Sequence, residues 1–501
     1  MTLPLFQSIT LPDGIKYEQP TGLFINNEFV ASKNGKTLDS INPETGDVNA
    51  TIHCADEDDV DIAVAAARTA FKSWRNTTGV ERGEYLYKLA AIMEEEKEVL
   101  TSLEAWDSGK TKTLNAVGDV QECIDVFKYY AGWADKVQGR VIQNDPKKLA
   151  YTIHEPYGVC GHIIPWNYPL LMGVWCLAPA LAAGNVSIIK SSEFTPLSLL
   201  YLAKLFEKAG FPPGTIAILS GYGKDAGSAL AGHMKVDKIS FTGSTATGKL
   251  IQKAASNNLK AVTLECGGKS PLIVRADAEI DQAVKWAAQG IFINQGQVCT
   301  STSRAYIHES IYDEFVTELV AHVKEEFLQG SVYEDDKMVG PQVSKVQFEK
   351  ILSYIDIGKK EGARIALGGE RNTEKDMSKG FFIKPTIFAD VKPDMRIVNE
   401  EIFGPVLAVG KFKTDEEALE FANQTEYGLG AAIFTRDIAI AHNMARDIEA
   451  GMVWINSSND SDYHIPFGGV KASGVGRQLG DYGLEHYTQA KAVHVNIGTR
   501  L

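Results

Sequence analysis

Three short stretches of the 501-residue chain carry side chains that could do chemistry together. Gly296-Gln297-Val298-Cys299-Thr300 follows an apolar helical stretch through a glycine turn, and a cysteine on a loop is better placed to react than one packed on a helix face. Thr263-Leu264-Glu265-Cys266-Gly267-Gly268-Lys269 sets a carboxylate at a strand end before a Gly-Gly turn, either as a general base or as a solvated loop acid. Ile164-Pro165-Trp166-Asn167-Tyr168-Pro169 puts an amide just ahead of an apolar helix, where Asn167 could donate to an oxyanion or cap that helix.

Two glycine loops point to a phosphate. Gly243-Ser-Thr-Ala-Thr-Gly248 lies between a strand and a helix, so backbone N–H groups and a helix N-terminus face the loop. It is one residue short of a Walker A loop, because Leu250 stands where a Ser or Thr would ligand Mg²⁺; a P-loop nucleotidase is rejected on that residue. Gly221-Tyr-Gly223-Lys-Asp-Ala-Gly227 is one residue longer than the dinucleotide fingerprint. Each loop alone is weak, and two after consecutive strands favour a nucleotide site.

The elements that must position these residues alternate. Val186–Ile189, Ile216–Leu219 and Lys238–Phe241 are short apolar runs of the kind buried in parallel sheets. Between the first two, Thr195 reads as an N-cap, Pro196 as the first turn, and Gly210 then Pro212-Pro213 as the stop of a helix. This predicts a doubly wound βαβ region over about residues 160–265. A second α/β unit follows: strand Leu272–Val274, a helix through Ile280, Val284 and Ile291, and a helix through Tyr312, Leu319 and Phe327. Ala305–Ile307 is a weaker strand, since Arg304 and His308 bound it closely. Gly139–Glu155 reads as a hairpin around Asn144-Asp145-Pro146, marginal alone in water and so packed on something else, such as another subunit.

Composition bounds the class. A hydrophobic share of 44% and charged share of 23% describe an ordinary globular chain of two to four domains. The net charge of −14 and the lack of any basic block argue against nucleic acid or an anionic membrane as partner. Six cysteines without CxxC spacing suggest neither a zinc site nor a redox dithiol, and fit a reducing compartment. No export signal is read near Met1, and the longest apolar run, 169–183, is shorter than the ~20 residues of a membrane span. The expectation is a cytoplasmic protein with no metal.

In family order and spacing, Pro165-Trp166-Asn167, Phe241-Thr-Gly-Ser244, Leu264-Glu265-Cys-Gly-Gly-Lys, Gly296-Gln-Val-Cys299, Glu400-Glu401-Ile-Phe403-Gly-Pro and Pro466-Phe467-Gly-Gly closely resemble the NAD(P)-dependent aldehyde dehydrogenase superfamily, from about Gly22 to Val495. The resemblance implies an α/β fold: a doubly wound Rossmann-like cofactor domain (1–138 and 156–265), an α/β catalytic domain (266–480), and a small β oligomerisation hairpin with a C-terminal strand around Ala492–Asn496 (139–155 and 481–501). It implies a homodimer or homotetramer. By the same resemblance Cys299 is the nucleophile, Asn167 the oxyanion donor and Glu265 the base that activates water. Lys190 and Glu193 would take the adenine-ribose hydroxyls, Ser244 the pyrophosphate, and Glu401 with Phe403 the nicotinamide side. Ile164, Pro165, Trp166, Gly223, Gly227, Phe241, Gly243, Thr247 and Gly248 complete the implied cofactor surface. Glu193 accepts from a 2′-hydroxyl and repels a 2′-phosphate, which favours NAD over NADP.

The implied substrate funnel is Tyr168, Met172, Trp175, Thr300, Ser461 and Phe467. Ser461 stands where relatives that prefer small aliphatic aldehydes often have an aromatic, so a wider, more polar pocket is expected, and Asp460 and Asp462 would admit a cationic amino-aldehyde. Acetaldehyde or another short aldehyde is the first expectation. A CoA-acylating enzyme would not need Glu265. Cys176 and Gln478 replace a Lys and a Glu that lie together behind the site in many relatives, so a possible ion pair is lost as a pair.

Overall fold

The computed structural model describes residues 3–501, the side chains of residues 375 and 376 aside. Its larger sheet has eight strands in the order Gly474–Val475, Ala261–Glu265, Lys238–Thr242, Val159–Ile163, Val186–Ser191, Ile216–Ser220, Leu23–Ile25, Glu28–Val30. The five strands from Ala261–Glu265 to Ile216–Ser220 run parallel, and Val159–Ile163, Val186–Ser191 and Ile216–Ser220 are buried throughout, which is why they read as continuous apolar runs. From Val159–Ile163 the chain winds outward in one direction through the next two strands. It then returns to the other side for Lys238–Thr242 and Ala261–Glu265. The winding direction therefore reverses between Val159–Ile163 and Lys238–Thr242, and a doubly wound sheet opens a crevice at the carboxyl ends of such a pair.

The smaller sheet has seven strands in the order Arg364–Leu367, Thr386–Ala389, Val406–Phe412, Arg304–His308, Pro271–Val274, Gly430–Phe434, Met452–Ile455. Only the Arg364–Leu367 edge is antiparallel. Side chains alternate across it: Leu272, Val274, Ala305 and Ile307 enter one core, while Ile273 and Tyr306 enter the core on the opposite face. The weakly read strand is thus central. Arg304 does not mark a solvated end; it is 1% exposed and donates to the carbonyls of Lys269, Phe421 and Ala422, each at 2.6 Å. His308 packs edge-on against Phe412. A third sheet pairs Val141–Asp145 with Lys148–Pro156, and the latter with Thr488–Asn496, matching the expected hairpin and C-terminal strand. The Val141–Asp145 strand is exposed along its whole length.

The helix between the first two strands departs from its reading. It spans Leu197–Ala209 and ends, as expected, on a left-handed Gly210. Its start is not capped by Thr195, whose hydroxyl donates to the Trp166 carbonyl at 3.3 Å. Asp107, from the helix Lys97–Ser108, accepts the Leu197 N–H at 2.8 Å and also holds the Ser40 hydroxyl. A cap borrowed across space leaves no local signature. Asp107→Ala is therefore expected to lower the unfolding free energy by about 2 kcal/mol, and Thr195→Ala by about 1 kcal/mol or less, in urea denaturation followed by tryptophan fluorescence.

Candidate active site

At the reversal point, three strand ends converge on one cleft. Pro165, Trp166 and Asn167 follow Val159–Ile163; Gly243 and Ser244 follow Lys238–Thr242; Glu265 ends Ala261–Glu265. These residues, with Cys266, Gly267, Cys299, Gln347, Lys350, Glu401 and Phe403, line a cavity of about 170 Å³. Nine of the residues singled out from sequence are thus brought together: Pro165, Trp166, Asn167, Gly243, Ser244, Glu265, Cys299, Glu401 and Phe403.

The nucleotide side of the cleft is built for close approach. Ser244 caps the helix Thr245–Ala255, its hydroxyl accepting the Thr247 N–H at 3.2 Å. A Cβ on Gly248 would sit 2.6 Å from the Cys266 sulfur, and one on Gly243 would sit 2.6 Å from the Phe241 ring. Both glycines are required for space, unlike Gly223, which has nothing within 4 Å. Leu250 is 67% exposed on this helix and holds nothing in the loop. Further along the same sheet edge, buried Lys190 lies 3.6 Å from Glu193 and donates to the Gly221 carbonyl, with Gly227 alongside its stem. Its carbonyl accepts the Ile164 N–H at 3.0 Å. Phe403, held at φ 61°, packs edge-on against Trp166 at 5.3 Å. A helix N-terminus, a buried lysine, a carboxylate beside it and an aromatic wall fit the donor set a dinucleotide requires.

The cysteine loop is strained and locked. Asn294, Gln295 and Gly296 are consecutive left-handed residues at φ 47°, 58° and 72°. Such a run of non-glycine residues persists only where its surroundings fix it. Here the Gln295 amide donates to the Gly109 carbonyl, Gln342 donates to the Gln295 carbonyl, and the Gln297 side chain accepts the Val343 N–H. Asn167 does not cap the helix Pro169–Ala182; its Nδ2 donates to the Gln297 carbonyl at 2.9 Å, while Asn294 donates back to the Asn167 carbonyl at 3.1 Å. The amide is therefore fixed beside Cys299 before any ligand arrives.

Charge is scarce in the cleft. The Glu265 carboxyl is 2% exposed, has no hydrogen-bond partner on either oxygen, and is held well above the usual carboxylate range by burial, with Arg477 opposing. Half-buried Cys299 is pushed up to about 12 by burial and by facing Glu265 and Glu401, against the pull of the Thr300 and Cys299 backbone N–H groups. The Glu401 carboxylate accepts the Gly268 N–H at 3.0 Å. A thiol becomes a good nucleophile here only when positive charge enters or a proton acceptor comes into reach.

On the other side of Cys299, the implied funnel residues are buried or half-buried except Ser461, which is exposed. Tyr168 carries the Lys110 ammonium 4.4 Å over its ring, Thr300 and Met172 are buried, and Trp175 packs edge-on against Phe467 at 5.0 Å. Trp175 also donates from Nε1 to Glu122 at 3.1 Å. Glu122 is pushed up to about 7 by burial and by facing Asp119, Asp462 and Asp125. Asp460 only offers its carbonyl to Trp454. The neutral replacements behind the site do touch: Gln478 Nε2 donates to the Cys176 sulfur at 3.4 Å.

Gln347, Lys350, Asn294 and Glu122 escaped the sequence reading. Gln347 donates to the Phe403 carbonyl at 2.7 Å, and both it and Lys350 project from the helix Lys345–Lys360, remote in sequence from every glycine loop. Asn294 could have been found, since an Asn five residues ahead of a reactive cysteine in a glycine turn is suited to left-handed backbone.

The chain's relationships agree with this geometry. The profile of the aldehyde dehydrogenase family matches residues 29–493. An aldehyde dehydrogenase of Emericella nidulans is 51% identical over 99% of both chains. An aldehyde dehydrogenase [NAD(P)+] of Saccharomyces cerevisiae is 49% identical over 98% of this chain and 99% of its own. The NAD+ complex of an aldehyde dehydrogenase from Bacillus cereus superposes with a TM-score of 0.93 at 47% identity, covering 95% of this chain and 97% of its own. With a thiol, a buried carboxyl and a fixed amide around one cleft at the reversal point of the sheet, the chain belongs to the aldehyde dehydrogenase family.

Proposed function

We propose that the protein oxidises a small aldehyde to its carboxylic acid with NAD, by covalent catalysis without coenzyme A. The observation that carries this reading is the Glu265 carboxyl, unpartnered in the same cavity as Cys299, where a water-activating base is needed and a CoA-acylating enzyme would need none. Bound NAD supplies the hydride acceptor. The Cys299 thiolate attacks the aldehyde carbon, and the new alkoxide is held by the Asn167 amide and the Cys299 N–H. Collapse of that tetrahedral adduct releases a hydride, which a bare aldehyde cannot do, and leaves a thioester. Glu265 then takes a proton from water as its oxygen bonds to the acyl carbon, and Cys299 leaves with the sulfur electron pair.

Lys190 and Glu193 would bind the adenine ribose, with the Glu193 charge disfavouring a 2′-phosphate. A second reading of the substrate, a cationic amino-aldehyde, is favoured by Glu122, which together with Asp462 places acid beside the Trp175–Phe467 wall. The exposed three-stranded sheet is the surface on which copies of the chain would associate, as dimer or tetramer. Among the described residues no helix is long and apolar enough to cross a membrane.

With acetaldehyde and NAD, NADH absorbance should rise without added coenzyme A, and a rate that requires coenzyme A would overturn the hydrolytic reading. Glu265→Gln should release one burst of NADH per active site and then slow by roughly 100- to 10,000-fold; steady turnover near wild type rejects the base assignment. Since burial raises both Glu265 and Cys299, and both act ionised, the wild-type rate should climb as pH rises from neutrality into the alkaline range, and a rate that falls over that range would count against the assignment. Glu193→Ser should raise kcat/KM for NADP relative to NAD by about tenfold, the effect of relieving one like-charge contact.

A further inference from the structure

A buried carboxyl with no hydrogen-bond partner is a poor base unless something stabilises its ionised form. The side chains that face Glu265 from the elements packed on it are three thiols and one cation. Cys176 comes from the helix Pro169–Ala182, Cys266 follows Glu265 just beyond its strand, and Cys299 comes from the strained loop. All three are pushed up to about 12 by burial, so none is charged near neutrality. Glu401, across the cleft, faces Cys266 and Cys299 and is engaged by the Gly268 N–H. Lys238 faces Cys176 and donates to Thr263, not to the carboxyl. Among the described residues, Arg477 is the one charge that acts on Glu265.

Geometry puts it there. Gly468 has φ 153°, and a Cβ built on it would lie 2.8 Å from Glu265 Oε1 and 2.9 Å from Arg477 Cδ, so both side chains flank the space that a side chain at this position would fill. One guanidinium nitrogen of Arg477 donates to the Gly469 carbonyl at 2.8 Å and the Gly476 carbonyl at 2.7 Å. Phe467 and Gln478 exchange backbone hydrogen bonds at 2.7 and 2.8 Å next to this clamp, fixing the turn against the carboxyl. His486, which faces Arg477, has its imidazole pushed down by burial and by nearby Lys238 and Arg477.

We propose that Arg477 is a positioning residue for the hydrolytic step: anchored on two carbonyls, it holds positive charge across Gly468 from Glu265 and stabilises the carboxylate that takes the proton from water. This rests on the reading of Glu265 as the base. During the step the water oxygen bonds to the acyl carbon, the carbon–sulfur bond breaks with its electron pair staying on Cys299, and one water proton resides on Glu265. Cys176 and Gln478, in contact with each other, bring no cation to this carboxyl.

The test uses the full-length enzyme with NAD and acetaldehyde, following decay of the acyl-enzyme by rapid quench after the burst, across pH. Arg477→Gln should keep the burst amplitude, move the midpoint of the hydrolysis profile up by about one pH unit, and slow hydrolysis below it about tenfold. Arg477→Lys, which keeps the charge, should return most of that shift. If R477Q does not fold, Arg477→Met removes the charge while keeping the stem, and the same shift is required. An unmoved midpoint, or R477K and R477Q slowing hydrolysis alike without a shift, overturns the proposal and leaves Arg477 a structural clamp. Failure of the underlying reading is separable, because E265Q would then hydrolyse its acyl-enzyme at the wild-type rate whatever the Arg477 variants do.

Discussion

The two sheets are joined by the stretch from Cys266 to Ser270, and the whole site depends on how closely that backbone can approach its neighbours. A Cβ on Gly267 would fall 2.4 Å from the Glu401 carboxylate, and one on Gly268 would fall 2.6 Å from the Cys299 carbonyl. With no side chains in the way, the end of one sheet, the cysteine loop of the other and the Glu401 turn occupy one small volume. Arg304 secures the far end by donating to the Lys269 carbonyl. The glycine pair is thus a spatial requirement, and Glu265 stands two residues before it, at the end of its strand.

That closeness has an electrostatic consequence. Burying a thiol, two carboxyls and an amide together penalises every ionised form, so burial raises Glu265, Cys299 and Glu401 alike. The fold spends its rigidity on orientation: Asn167 is tied to Gln297, Asn294 to Asn167, and a left-handed turn carries Cys299. Donors fixed in advance need no reorganisation when charge develops, which is how a low-polarity site stabilises an oxyanion.

Much of the frame was legible in the sequence. The parallel strands were visible because burial on both faces leaves unbroken apolar runs, and Gly210 as a helix stop because its signal is local. Cys299, Glu265 and Asn167 stood out as residue types in suggestive loops, yet only the order of several motifs distinguished them from packing. What escaped depends on contacts between distant segments. Asp107 caps a helix ninety residues away, Arg304 is polar yet central, and Gln347 reaches Phe403 from another helix. The strand order, which decides where the sheet reverses and hence where the cleft opens, has no local signature.

The neutral contact between Cys176 and Gln478 gains meaning from the same scarcity of charge. Here a thiol and an amide lie side by side, and neither leaves an unpaired charge behind the site. A carboxyl with its back to neutral groups must find its counter-charge elsewhere, and among the described residues it comes over Gly468, from a side chain tethered to backbone carbonyls. Tethering matters because a free arginine in so small a space would pair directly with the carboxylate and bury its lone pairs. Held off by Gly469 and Gly476, Arg477 lends its field while leaving both buried carboxyl oxygens without a hydrogen-bond partner.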